Sequence, residues 1–120
     1  MKIAVAQISR SLGDPEANLI KVRDFSRLAK EGRAELIVFP EMIDTGYSMP
    51  AIRAHANHWT NGFVRGLQEA ARKLSITIVA GVSERDGALT YNSQVLIDSN
   101  VDIAAKYRKT HLYAVAPIEE

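Results

Sequence analysis

The sequence predicts an α/β domain in which helices pack against a mixed β-sheet. Three observations carry that prediction. Strand-like and helix-like hydrophobic patterns alternate from the N-terminus to Leu74, as parallel β-α-β units require. Residues 34–39 (AELIVF) form a short, nearly continuous apolar run, the pattern of a central strand covered on both sides. Asp86-Gly87 lies between two further strand-like runs and marks a hairpin, which adds antiparallel strands.

Residues 2–8 (KIAVAQI) alternate around Ile3, Val5 and the apolar stem of Gln7 and read as a strand buried on both faces. Ser11-Leu12-Gly13 breaks it. Asp14-Pro15-Glu16 then supplies an N-cap, a proline suited to the first helical turn and a charge that complements the helix dipole. Leu19, Val22, Phe25 and Leu28, widened by Ile20 and Ala29, are the expected apolar face of this helix. Gly32 is the expected left-handed cap. Pro40 ends the AELIVF strand. Residues 41–61 have no periodic pattern, and a loop this long in a small domain usually carries function. Residues 62–74 are again amphipathic through Phe63, Leu67, Ala70, Ala71 and Leu74. Three strands follow: 76–82 (ITIVAGV), 90–98 (TYNSQVLID) and, after a turn at Asn100, 102–109 (DIAAKYRK).

At 120 residues, one domain suffices. A hydrophobic share of 47% with 24% charged residues excludes a disordered or fibrous chain. The net charge of +1, from 15 basic and 14 acidic residues, gives no electrostatic reason for a nucleic acid or an anionic membrane as partner. No apolar run is long enough to span a bilayer. Gln7 and Arg10 interrupt the N-terminal apolar residues too early for a signal-peptide core, so the cytoplasm is the expected compartment. The chain has no cysteine, which excludes disulfides, thiolate metal sites and a cysteine nucleophile within these residues.

Glu41 follows the buried run and Pro40, where active sites of layered α/β folds tend to lie. Partial burial there would raise its pKa and suit it to general-base work; on local sequence alone, a solvated turn glutamate is the preferred reading. In the cluster Lys106-Tyr107-Arg108-Lys109, period two puts Lys109 on one face with Tyr107 and His111, and Arg108 on the other. A lysine sharing a pocket with a carboxylate can meet a developing oxyanion; an exposed strand end with snorkelling stems explains the same residues. His55 and His58 have the spacing of a metal-binding pair, but no cysteine or carboxylate completes the set, so no metal is expected. The sequence has no G-x-G-x-x-G, Walker, H-E-x-x-H or G-x-S-x-G motif.

Taken together, several blocks resemble the nitrilase superfamily of carbon–nitrogen hydrolases. Phe39-Pro40-Glu41 with Thr45-Gly46-Tyr47 resembles its FPE…GY block, and residues 107–112 resemble its YRKxHL block. Ala80-Gly81, Tyr91-Asn92-Ser93 and Val5-Ala6-Gln7 resemble further signatures, and Glu120 matches the position of a second glutamate. The resemblance covers essentially the whole chain, in order.

The resemblance implies part of a four-layer α-β-β-α sandwich. It implies hydrolysis of a small amide, carbamoyl or nitrile compound through an acyl-enzyme, without metal or organic cofactor. Glu41 would be the general base, Lys109 the oxyanion-stabilising lysine, Glu120 a supporting carboxylate and Tyr47 a pocket residue. Family members commonly pair subunits, so a homo-oligomer, or association with a missing half, is expected.

Two departures stand out. The family's cysteine nucleophile, a few tens of residues beyond the lysine, is absent, so the 120-residue chain is expected to be inactive alone. Val101 stands where the family usually has glycine, which suggests a turn with Asn100 in the left-handed position. Two other functions fit parts of the sequence: an inactive truncated fragment or pseudoenzyme serving as an interaction module, and a plain α/β binding domain, which the multi-block match argues against.

Overall fold

The computed structural model describes residues 1–9, 14–46, 62–86, 89–100 and 103–108. The described elements are β1 (Ile3–Val5), α1 (Pro15–Glu31), β2 (Leu36–Val38), α2 (Phe63–Leu74), β3 (Thr77–Asp86), β4 (Leu89–Ile97) and β5 (Ile103–Arg108). The five strands form one sheet in the order β1-β2-β3-β4-β5. β1, β2 and β3 run parallel, whereas β3-β4 and β4-β5 are antiparallel. This is the mixed α/β sheet predicted from the sequence.

The strand order decides where the helices go. Parallel strands placed successively in one direction, joined by right-handed crossovers, put both crossover helices on the same face. α1 packs on α2, and both reach the sheet. Val22, Val64, Leu67, Ala70 and Ala71 meet Ile37, Ile78, Ala80, Val95 and Ile97 in one buried core. Gly66 permits the helix contact: a Cβ there would lie 2.4 Å from Leu19 Cδ2.

Among the described residues no helix covers the other face of the sheet. By register it carries Ile3 and Val5, then Val38, Val79 and Leu96, and finally Ala105 and Tyr107. Ile3, Val5 and Tyr107 are 54%, 67% and 60% exposed. β1 is therefore an edge strand covered on one side, not a strand buried on both faces. In β2 only Ile37 is fully buried, and Leu36 and Val38 are half-buried.

Asp14 caps α1 as predicted, accepting from the Ala17 amide at 3.0 Å. The buried face of α1 differs from the expected one. Val22 is shared, and Leu19 and Ala29 pack half-buried against the core, but Asn18 and Ser26 are buried beside them, while Ile20, Phe25 and Leu28 are exposed. The cause is geometric: a spacing of three drifts by about 60° per step from a 3.6-residue period, so Leu19 and Leu28 face opposite ways. The cap differs too. Gly32 has φ −81°, and the left-handed residue is Arg33, at φ 68°. Ala34 donates to the Ala29 carbonyl and Arg33 to that of Lys30, which is a Schellman closure one residue later than predicted. Ser75, at φ 52°, ends α2 in the same way, with Ile76 donating to Ala71.

The β3-β4 hairpin runs longer than predicted, closing between Asp86 and Leu89. At the next turn the Asn100 amide donates to the Asp98 carboxylate. The left-handed non-glycine residues described are Arg33, Met42 and Ser75, so Asn100 does not take the conformation suggested for it. Val101 lies outside the described residues.

Candidate active site

Past Val38, β2 stops pairing as a strand, yet β3 continues to Asp86. The backbone donors and acceptors of β3 on that side need other partners, and residues 39–45 supply them. Phe39 donates to the Val79 carbonyl and Ile43 to that of Gly81, each at 2.8 Å. Farther along, the Ser83 amide donates to both oxygens of Asp44, at 3.0 and 3.1 Å. The Ser83 hydroxyl bonds the same carboxylate at 2.5 Å. Asn18 of α1 donates to the Asp44 carbonyl at 2.8 Å. Residues 41–45 are thus a turn bound to β3 like a short continuation of β2.

Glu41 begins this turn at the C-terminal end of the parallel strands. Its Cα lies against Gly81, where a Cβ would approach to 2.6 Å. Gly81 belongs to the open face of the sheet, with Val79 and Ser83. Only a residue without a side chain lets the turn lie this close. Asn92, opposite Ser83 in the hairpin register, donates from Nδ2 to Glu41 Oε1 at 3.3 Å. The turn includes Met42 at φ 51°, a left-handed conformation that costs a non-glycine residue roughly 1 kcal/mol. Gly46, at φ 72°, closes it by donating to the Met42 carbonyl at 2.8 Å. A groove lined by Val5, Gln7, Val38 and Phe39 runs up to Pro40, the residue before Glu41.

A second polar cluster lies on the opposite, helix-facing side of the sheet. Glu84 continues the buried series of Ile78, Ala80 and Val82 and is itself 4% exposed. Arg108, Lys106 and the Ser93 hydroxyl all donate to it. Arg108 also stacks over Tyr91, 4.2 Å from the ring centre. Burial alone would raise the Glu84 pKa; the donors from Arg108, Ser93 and Lys106 outweigh it and bring it from 4.5 down to about 2. Asp44 is the contrary case. Burial dominates there, and its pKa stands above 3.8 despite the bonds from Ser83 and Thr45.

The residues singled out from the sequence divide accordingly. Glu41 sits at the strand end, half-buried, as expected. Arg108 and Tyr107 point to opposite faces, as period two implied. Lys109, Tyr47, Glu120, His55, His58 and His111 lie outside the described residues. Among the described residues no cluster of potential metal ligands occurs. Sequence reasoning missed Asp44 and Glu84. Alternation was the available signal for Glu84, because a carboxylate extending a buried series requires cations beside it.

A family model for carbon-nitrogen hydrolases matches residues 2–120. The chain belongs to the carbon-nitrogen hydrolase family. Among its curated relatives is an aliphatic nitrilase of Rhodococcus rhodochrous, 37% identical, with 91% of this chain and 32% of the relative covered. A nitrilase of Pyrococcus abyssi is 33% identical, with 94% and 44% covered. A solved amidase of the nitrilase superfamily, from Nesterenkonia AN1, superimposes with a TM-score of 0.85 at 28% identity, covering 94% of this chain and 44% of the amidase. Another structure of that amidase, 25% identical with a TM-score of 0.78, shows acrylamide added at its active-site cysteine. The chain spans less than half the length of these carbon-nitrogen hydrolases.

Proposed function

We propose that these residues are the N-terminal part of an enzyme that hydrolyses a small amide, carbamoyl or nitrile compound. The observation that carries the reading is the placement of Glu41. Its carboxylate stands at the C-terminal end of the parallel strands, on the open face, with its backbone seated on Gly81 and an amide donor from Asn92. Lys109 is the residue after Arg108, whose register partner Ser93 follows Asn92. The strand that leads into the lysine is therefore paired beside β4, which carries Asn92, the donor to Glu41.

In this reading Glu41 is the general base and the nucleophile is a cysteine outside these residues. Glu41 takes the thiol proton as sulfur bonds to the substrate carbon, and the Lys109 ammonium stabilises the oxyanion formed from an amide. Collapse of that intermediate breaks the carbon–nitrogen bond, and the leaving nitrogen takes the proton from Glu41. Water then attacks the acyl-enzyme, giving one proton to Glu41 and releasing acid and thiol. Glu120 supports the site and Tyr47 lines it. No metal or organic cofactor enters these steps. The relatives include both nitrilases and an amidase; we favour an amide because the solved structure that superimposes at a TM-score of 0.85 is an amidase. The same reading completes the sheet and helix layers described here to a four-layer sandwich, and takes the protein to be a cytoplasmic homo-oligomer.

The test is expression of the complete coding sequence that contains these residues, with assays on short aliphatic amides, N-carbamoyl compounds and nitriles. Thiol-dependent hydrolysis abolished by Glu41→Gln and by Lys109→Ala is expected. A product without cysteine, or activity indifferent to both substitutions, overturns the reading. The second reading, an inactive interaction module, draws on the absence of cysteine among these 120 residues and would then take its place.

A further inference from the structure

One rung of the β3-β4 hairpin holds both ends of the turn that carries Glu41. The rung is Ser83 and Asn92, which face each other in register. Ser83 binds the far end through its amide and hydroxyl to Asp44. Asn92 binds the near end through Nδ2 to Glu41 Oε1. Both residues are buried, at 3% and 7% exposure, on the sheet face that also carries Val38, Val79 and Leu96. A buried amide and hydroxyl there carry a desolvation cost unless each meets a partner, and the partners they meet belong to the same turn.

From this we infer that Asn92 is a positioning residue for Glu41, which directs the carboxylate and favours its ionised form; the inference rests on the proposed role of Glu41 as base. The two ends of the turn are fastened differently. At the Asp44 end two backbone-anchored bonds and the Asn18 contact fix position. At the Glu41 end the bond comes from a side-chain amide, which cannot accept the glutamate's proton and donates to its charged form. Such a donor favours the carboxylate over the neutral acid. A general base needs this in the resting enzyme, before the thiol proton arrives. The rung also explains why the site requires a long hairpin. Val79 and Leu96 are half-buried apolar residues lower on the same face, and the rung of Ser83 and Asn92 lies past Gly81, level with the turn.

The experiment uses the protein expressed from the complete coding sequence and compares the pH dependence of kcat/KM for Asn92→Ala, Asn92→Asp and Ser83→Ala. With Asn92→Ala, the acid limb is expected to move to higher pH and kcat to fall by about tenfold with KM little changed. Asn92→Asp keeps the side-chain shape but replaces the donor by a carboxylate, and is expected to move the acid limb further in the same direction. Ser83→Ala loosens the turn without touching Glu41, and is expected to lower thermal stability while leaving the acid limb in place. An unmoved acid limb in a folded Asn92→Asp protein overturns the inference, whether or not the alanine variant folds. So does an equal displacement by Ser83→Ala, which would make the effect one of turn position alone. Failure of the underlying reading looks different: Glu41→Gln would then retain turnover.

Discussion

Arg108 grips Glu84 with two parallel hydrogen bonds, Nε to Oε1 and Nη2 to Oε2, each 3.0 Å long. Lys106 adds a third donor at 3.0 Å, and the Ser93 hydroxyl a fourth at 2.8 Å. The pair joins β3 to β5 across β4, so it fixes the strand that leads into Lys109. Removing the carboxylate leaves two cations facing a buried position. Glu84→Ala is therefore expected to cost about 2–4 kcal/mol, read as a loss of midpoint in urea. The pH dependence follows from the lowered pKa. The folded value is about 2 against an ordinary 4.5, so the contribution is complete above 4.5 and is lost as pH falls toward 2. A difference of that size corresponds to at most about 3 kcal/mol. Glu84→Gln should flatten acid unfolding in this window, and unchanged acid unfolding would refute the assignment.

Gly81 is expected to tolerate no side chain. An alanine Cβ would meet the Glu41 Cα at 2.6 Å and the Met42 nitrogen at 3.3 Å. Both are backbone atoms of a turn tied down by Asn18 and Ser83, so neither has a rotamer through which to escape. Gly81→Ala should destabilise the fold by about 1–3 kcal/mol and displace the turn. Gly66→Ala is the useful comparison. Its clash is with the far end of the Leu19 side chain, which can rotate away, so its cost should largely disappear in a Gly66→Ala, Leu19→Ala double variant. A double variant of Gly81→Ala with Glu41→Ala should show no such recovery, because the obstructing atoms are main chain. Thermal melts of the four proteins decide this.

The residues that sequence reading placed well are those whose position follows from local chemistry. Asp14 and Pro15 announced the start of α1 because capping uses only neighbouring residues. Glu41 was found because a proline ended a buried run directly before it. The apolar face of α1 was misplaced for a different reason. Asn18 and Ser26 are fully buried in the observed stripe, and Asn18 is there to reach Asp44 across 26 residues of chain; a polar residue recruited by a distant partner breaks the hydrophobic period. The exposure of Ile3 and Val5 was hidden for a third reason. A strand with one face covered by helices and the other left open reads like one covered on both when both faces are apolar. Nothing in the local sequence distinguishes them; strand order and crossover handedness do.

Asp44 makes a prediction of opposite sign to Glu84. Burial raises its pKa above 3.8, against the bonds from Ser83 and Thr45. A carboxylate whose folded value lies above its unfolded one stabilises the fold only at low pH, and that contribution is lost as pH rises through the folded value. At neutral pH its charge therefore weighs against folding. Asn at this position keeps an acceptor for the Ser83 amide and gains a donor for the Ser83 hydroxyl, with no charge to bury. Asp44→Asn should be at least as stable as the parent at neutral pH, and its advantage should shrink on acidification. Asp44→Ala leaves Ser83 unpaired and should lose about 1–3 kcal/mol. Melting curves between about pH 4 and pH 8 test both; an advantage of Asp44→Asn that grows on acidification would contradict the argument.

The open sheet face makes the last prediction. Val5 and Tyr107, at 67% and 60% exposure, bracket half-buried Val38, Val79 and Leu96, so the apolar surface runs across all five strands. Monomeric proteins seldom leave a contiguous surface of this kind uncovered. β1 is an edge strand of the described sheet beside it. The 120-residue chain, expressed alone, is therefore expected to self-associate with increasing concentration and to bind an apolar dye. Val5→Lys with Tyr107→Lys places charge at both margins of the face without touching the helix-side core. That pair should reduce association and dye binding while preserving the far-ultraviolet circular dichroism. Light scattering across a dilution series is the direct measurement. A parent chain that stays monomeric at high concentration, melts cooperatively and excludes the dye would show that the face is stable in water and needs no cover.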